Sequence, residues 1–112
     1  MSESCIFCRI INGELPSEKI YEDEHFIAIK DVSPAAPNHV LLMPKKHFKN
    51  ITEVDDSTIC DITSKISKVA KEMGVLENGF RIVVNTGEDG GQTVDHLHFH
   101  ILGGREMGWP PG

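Results

Sequence analysis

Between positions 96 and 101 histidine alternates with apolar residues, in the order His-Leu-His-Phe-His-Ile. Strict alternation predicts a β-strand, because successive side chains of a strand point to opposite faces of the sheet. We therefore predict a strand over residues 96–102 that buries Leu97, Phe99 and Ile101. The three histidines then share the opposite face, and a row of imidazoles on one face indicates chemistry rather than packing.

Two kinds of chemistry fit this row. A neutral imidazole can attack phosphorus and form a transient phosphoryl-histidine. Alternatively, a His-x-His pair can bind a catalytic zinc ion that activates water. Strand residues two apart are separated by about 6.6 Å. Neighbouring rings can therefore meet at one phosphate or one metal, but all three can do so only with a bulge. One of the end histidines, His96 or His100, is thus expected to serve another purpose.

A glycine-rich loop at residues 86–92 comes shortly before the histidines. Its glycines let backbone N–H groups approach an anion closely. Gln92 and Thr93 add side-chain donors, and Asn85 ends the preceding predicted strand. The segment therefore favours a phosphate-binding loop over an ordinary hairpin loop.

The rest of the chain indicates an α+β fold. We predict a short helix at 6–11, strands at 19–21, 26–30, 39–43 and 80–85, and one long helix. Cys60 lies near the apolar stripe of that helix and is expected to be at least half-buried. A length of 112 residues indicates one domain, with an antiparallel sheet covered on one face. The stripe consists of Ile59, Ile62, Ile66, Val69 and Met73.

Composition limits the partners and the compartment. The chain has 17 acidic and 11 basic residues and a net charge of −6, which disfavours nucleic acids and anionic membranes. No apolar run approaches the roughly 20 residues of a membrane helix, and the N-terminus lacks a signal-peptide pattern. We expect a cytoplasmic protein. The three cysteines do not suggest disulfides there, and the Cys5/Cys8 pair fits metal or redox chemistry.

The segment GQTVDHLHFHI, residues 91–101, resembles the signature of the histidine-triad (HIT) family. The C-terminal LGGREMGWPPG resembles the histidine-triad nucleotide-binding (Hint-type) branch, and shorter matches extend over nearly the whole chain. The resemblance implies a single HIT domain over residues 1–112 with about five antiparallel strands, one long helix and one short helix. It also implies a homodimer that continues the sheet, with the tail 103–112 at the interface.

The resemblance further implies a purine nucleoside phosphoramidase, which cleaves a P–N bond through a nucleotidyl-histidine without a catalytic metal. His98 would be the nucleophile, and His100 and His39 would orient it and share protons. Asn85 and Thr93 would hold the phosphate or assist the leaving group. Thr93 departs from the Hint pattern, where serine is common, but it keeps the hydroxyl. Three alternatives remain: a dinucleoside polyphosphate hydrolase, a non-catalytic nucleotide-binding scaffold, and a zinc hydrolase with metal on the triad.

The same resemblance assigns a purine nucleotide site. Asp31 would bind the ribose, Asn85 and Gln92 would belong to the nucleotide-binding site, and Trp109 would reach the partner subunit's site. Five apolar residues would line the pocket for the purine base: Ile6, Phe7, Ile10, Ile29 and Val32.

A second site is expected at the C-x-x-C pair. By itself the pair suits redox chemistry or zinc equally, although the sequence lacks the β-α-β context of a thioredoxin-like motif. HIT proteins with this pair suggest that His47 and His96 complete a closed Cys2His2 site for a structural zinc ion. The alternative is that Cys5 and Cys8 are small buried apolar groups.

Overall fold

The computed structural model describes residues 4–112. Over that range neither helix combines the length and apolar character needed to cross a membrane. The elements follow in the order α1 (Ile6–Ile11), β1 (Lys19–Glu22), β2 (Phe26–Lys30), β3 (Asn38–Pro44), α2 (Asp56–Met73), β4 (Phe80–Val83) and β5 (Phe99–Gly103).

The strands form one antiparallel sheet in the order β1-β2-β3-β5-β4. β3 lies at the centre, and its residues from His39 to Pro44 are all buried. Its register places Leu41 opposite His100 and His39 opposite Leu102. This confirms the expected α+β fold with five antiparallel strands and two helices, and it places His39 and His100 on one face.

Both faces of the sheet carry apolar clusters, whereas the sequence predicted one covered face. On one face α2 packs across β1 and β3 and buries Ile62 and Val69 against the sheet. On the other face the short helix α1 buries Phe7 and Cys8. The strand residues beneath α1 are Ile27, Ile29, Leu41 and Met43. The histidines therefore share a face with α1.

The predicted strand at 96–102 begins three residues late, at Phe99. Before that point the chain leaves the sheet: the His96 N–H donates to Val94 and the Leu97 N–H donates to Phe48. The alternation still holds, since Leu97, Phe99 and Ile101 are buried in the α2-side cluster. His96 and His98 thus keep the expected face without strand hydrogen bonds to hold them.

Two further expectations differ from the structure. β4 ends at Val83 rather than at residue 85, where the chain turns into the glycine-rich loop. Cys60 is exposed, because it lies outside the α2 stripe that packs on the sheet. The helix itself is confirmed, and it ends at Gly74, whose φ of 79° is favourable for glycine.

Candidate active site and metal cluster

His98 is held by a backbone carbonyl. Its Nδ1 lies 2.7 Å from the main-chain oxygen of His96. A carbonyl only accepts hydrogen bonds, so Nδ1 must carry the proton and donate it. In a neutral ring Nε2 then has a free lone pair, which is the state that a nitrogen nucleophile requires.

His39 and His100 form a chain of hydrogen bonds that begins at the backbone. The Ala35 N–H donates to Nδ1 of His39 over 3.0 Å, so in a neutral ring the proton of His39 is on Nε2. That Nε2 donates to Nδ1 of His100 over 2.9 Å and also lies 3.4 Å from a carboxylate oxygen of Asp31. His100 therefore carries its proton on Nε2. The site thus presents a hydrogen-bond acceptor, Nε2 of His98, beside a hydrogen-bond donor, the Nε2–H of His100.

Burial keeps these rings neutral at pH 7. It lowers the pKa of His98 against the hydrogen bond to the His96 carbonyl and the Asp31 carboxylate, and it lowers the pKa of His39 against the same carboxylate. Burial, followed by the charges of His98 and His39, lowers the pKa of His100 to about 4. The hydrogen-bond directions given above for neutral rings therefore apply at neutral pH.

A cavity of about 420 Å³ opens in front of His98 and His100. Its floor is apolar, and Asp31 and Thr93 stand at its wall. Ile6 is 47% exposed and Val32 is 97% exposed, so both form an open rim. The structure thus brings together nine of the residues expected in catalysis and nucleotide binding: Ile6, Phe7, Ile10, Ile29, Asp31, Val32, Thr93, His98 and His100.

Five lining residues were not expected from the sequence. Leu41 could have been found from the alternation of β3, because it shares a face with His39. Lys30 and Val94 are sequence neighbours of expected residues. Leu15 and Pro16 follow α1 in an irregular segment and carry no pattern that assigns them to a site.

The remaining expected residues lie outside this cavity. His39 is behind His100, to which it donates, and its Nε2 also lies 3.4 Å from Asp31 at the cavity wall. Asn85 donates to the carbonyl of Gly90, and Gln92 bridges Gly87, Lys49 and Val94, so in one chain both brace the glycine-rich loop. Trp109 is 83% exposed at the end of the tail.

Cys5, Cys8, His47 and His96 converge beside the cavity, and we call them the Cys/His cluster. Their ligand atoms all lie within 4.8 Å of one another. Nδ1 of His96 is 3.4 Å from Sγ of Cys5 and 3.6 Å from Sγ of Cys8, and Nδ1 of His47 is 3.3 Å from Sγ of Cys8. In a tetrahedral zinc site, sulfur and nitrogen ligands are about 3.5 Å apart. The four residues could therefore bind a metal ion.

The ring of His96 is suited to such binding. Its Nε2 lies 2.8 Å from the carbonyl of Pro44, to which it donates, so Nδ1 faces the sulfurs with a free lone pair. Burial lowers the pKa of His96 to about 4, which keeps the ring neutral at pH 7. Asp31, His39 and His100 also lie close together. In that group, however, Nε2 of His39 and Nδ1 of His100 are joined by a hydrogen bond, so these nitrogens are not available to a metal ion.

The sheet, the cavity and the histidines define a small α+β protein with a histidine-lined ligand cavity. The family model described as HIT domain matches residues 12–107. The chain therefore belongs to the HIT family. An uncharacterized HIT-like protein of Synechocystis is 46% identical over 115 residues, with both chains fully covered.

Solved structures agree with this assignment. A HIT family hydrolase from Clostridium thermocellum is 50% identical, with 96% of each chain covered and a TM-score of 0.91. A HIT family hydrolase from Legionella pneumophila has a TM-score of 0.92 at 43% identity, over 97% of this chain and all of that one. A histidine triad nucleotide-binding protein from Candida albicans is 35% identical, with a TM-score of 0.83 over 96% and 83% of the two chains.

Proposed function

We propose that the protein is a hydrolase that cleaves the P–N bond of purine nucleoside 5′-phosphoramidates, as a member of the Hint-type branch. One observation carries the proposal: the His96 carbonyl fixes the proton of His98 on Nδ1, which leaves Nε2 free at the wall of the cavity. The similarity to structures described as HIT family hydrolases and as a nucleotide-binding protein supports it.

The reaction proceeds in two displacements. Nε2 of His98 attacks phosphorus, the P–N bond breaks, and the amine leaves with the bonding electron pair and takes up a proton. Water then attacks phosphorus, the bond to His98 breaks, and the nucleoside monophosphate is released. Two steps of this kind replace one difficult hydrolysis. Thr93 supplies a hydroxyl at the phosphate, and the Nε2–H of His100 stabilises charge on its oxygens.

The rest of the cavity matches a nucleoside. The apolar residues of α1 and β2 offer flat contact to a base, and the carboxylate of Asp31 accepts hydrogen bonds from ribose hydroxyls. Asn85 and Gln92 brace the glycine-rich loop, whose Gly87, Gly91 and Gln92 N–H groups are bonded within the loop, and the loop leads directly to Thr93 at the cavity wall. These assignments give each expected residue a role that can be tested by substitution.

The decisive experiment is rapid-quench intact-mass analysis of the whole protein with adenosine 5′-phosphoramidate. We expect a mass increase of one nucleotidyl group, mapped to His98, and none in His98→Gln, which should still bind nucleotide. An adduct on another residue, or full turnover by His98→Gln, would contradict the proposal. Faster turnover of a diadenosine polyphosphate would favour that class of substrate. Turnover at or below about 0.001 per second on every nucleotide tried would favour a scaffold, since typical enzymes reach about 10 per second.

We also propose that the Cys/His cluster binds one structural zinc ion. Two thiolates and two imidazoles are soft ligands of the kind that zinc prefers, and four protein ligands would leave no open position for catalysis. Zinc content measured by mass spectrometry should be one per chain, and Cys8→Ser should lower it.

Finally, we propose a cytoplasmic homodimer of single-domain chains that does not bind nucleic acid. β4 is an edge strand of the sheet and can pair with its copy, which would continue the sheet. The tail 103–112 would lie at this interface, where Trp109 of one chain reaches the cavity of the other. Sedimentation of the intact protein should give twice the chain mass. Arg81→Ala should weaken the dimer, because it removes the hydrogen bond from the Arg81 side chain to Gly108 of the tail.

A further inference from the structure

We infer that the Cys/His cluster positions the nucleophilic ring of His98, and that metal occupancy of the cluster therefore controls the attacking step. The inference rests on the proposed function. It starts from one residue, His96, which belongs to both sites. Its ring faces the two sulfurs, and its main-chain oxygen accepts the hydrogen bond from Nδ1 of His98.

The sheet does not hold this carbonyl. β5 and its pairing with β3 begin at Phe99, so His96 and His98 lie outside the ladder. Two backbone hydrogen bonds fix the chain at this point, from the His96 N–H to Val94 and from the Leu97 N–H to Phe48. The buried ring of His96 adds an anchor at each nitrogen, Nε2 to the carbonyl of Pro44 and Nδ1 to the cluster. A metal ion bound at Nδ1 would fix the ring, and the ring would fix the carbonyl that orients His98.

Phe7 provides a second connection. It lies between Cys5 and Cys8 in the first turn of α1, so ligands that fix the two cysteines also fix its position. Its ring is edge-on to His96 at 5.9 Å and edge-on to His98 at 5.0 Å, measured between ring centroids. The nucleophile is thus held by a carbonyl on one side and by an aromatic ring on the other, and both belong to residues that are connected to the cluster. Phe7 and His96 are positioning residues.

Loss of the metal should weaken both supports. At Nδ1 of His96 a metal bond would be replaced by weaker hydrogen bonds from the Cys5 and Cys8 thiols, and α1 would lose the metal link between its first turn and residues 47 and 96. His98 would then exchange between tautomers, and the form with a free Nε2 would be populated for less of the time. Mutation of the hydrogen-bonding partners of metal ligands commonly costs about 10- to 100-fold in metal affinity or activity, and we expect a loss of that order here.

The experiment compares intact protein loaded with zinc and stripped by a chelator at pH 7.5. Ring ¹⁵N chemical shifts report the tautomer of His98 without substrate, and rapid-quench mass analysis reports the rate of adduct formation. We expect one tautomer in the loaded protein, mixed tautomers in the stripped protein, and a fall in rate of about 10-fold or more. Added zinc should restore both.

Two variants separate positioning from general loss of structure. His47→Ala removes a ligand that does not contact His98, and it should need more zinc to reach the loaded tautomer and rate. Phe7→Leu should mix the tautomers even with zinc bound and the circular dichroism unchanged. Cys60→Ser, an exposed cysteine outside the cluster, should change nothing.

Unchanged His98 shifts on stripping, or in zinc-loaded Phe7→Leu, would overturn the inference. Changed shifts support it even if no phosphoramidate is turned over in any metal state. That second result would instead refute the proposed function, so the two failures can be told apart.

Discussion

The hydrogen bond between His39 and His100 can be tested by a double-mutant cycle. In the structure the Nε2–H of His39 donates to Nδ1 of His100 over 2.9 Å, and both rings are neutral at pH 7.5 because burial lowers their pKa values. A neutral hydrogen bond contributes about 0.5–1.5 kcal/mol to stability. We therefore expect a coupling free energy of that size between His39→Ala and His100→Ala, measured by urea denaturation of the zinc-loaded protein.

The same cycle makes a sharper kinetic prediction. His39 lies behind His100, and its shortest contact with a cavity residue is the hydrogen bond to that ring, so we expect the two residues to act as one relay. Residues that act as a unit show strongly non-additive effects on kcat. The double variant should therefore lose no more activity than His100→Ala alone. The assay is single-turnover cleavage of adenosine 5′-phosphoramidate.

Losses that multiply in the double variant would refute this reasoning, because His39 would then act on the substrate directly. A coupling free energy near zero would refute the assigned hydrogen bond itself. Asp31→Asn is a useful comparison, since its carboxylate lies further from Nε2 of His39, at 3.4 Å. Asp31→Asn should therefore lower the free energy of unfolding less than either alanine substitution does.

Three further predictions concern the fold, the pH dependence and the cavity rim. Gly103→Ala would bring a Cβ to 2.6 Å from Val75, so it should cost about 1–3 kcal/mol in urea denaturation, and Val75→Ala should relieve part of that cost. The pKa of His100 is about 4 in the folded chain and about 6.5 when unfolded, so the unfolded state binds more protons between these values. The urea midpoint should therefore fall as the pH drops from 6.5 towards 4, and less steeply in His100→Gln. Val32→Ser should leave stability within about 0.5 kcal/mol of wild type, because Val32 is 97% exposed, but should weaken binding of adenosine monophosphate in calorimetry.

Alternation and helical spacing predicted the elements of the fold, because each of those signals is local. The period of two between residues 96 and 101 gave the correct face for every side chain, and the α2 stripe gave the correct buried side. The start of β5 was placed too early because the alternation continues past the point where the sheet pairing stops. That point is set by the contacts of Leu97 with Phe48 and of His96 with Val94. Side-chain periodicity contains no information about such contacts.

The candidate site required both the residues and their resemblance to a family. The histidine row was visible from the spacing alone, and the clustering of Cys5 and Cys8 with His47 and His96 agrees with what the resemblance implied. The backbone partners of the rings could not be predicted. The tautomers of His39, His96 and His98 are set by Ala35, Pro44 and the His96 carbonyl, and any residue type supplies the same N–H or C=O. Sequence identity says nothing about which backbone groups meet which ring.

That dependence on backbone groups explains how one short segment serves two sites. In a regular strand the carbonyl of His96 would point along the plane of the sheet towards a neighbouring strand, away from the ring of His98. Because the chain leaves the sheet before Phe99, this carbonyl turns to His98 while the ring above it turns to the cysteines. Because the pairing of β5 with β3 starts only at Phe99, the nucleophile His98 can keep one tautomer. A variant that extended β5 towards residue 96 would increase strand pairing and should lose activity, which circular dichroism and the adduct assay together would reveal.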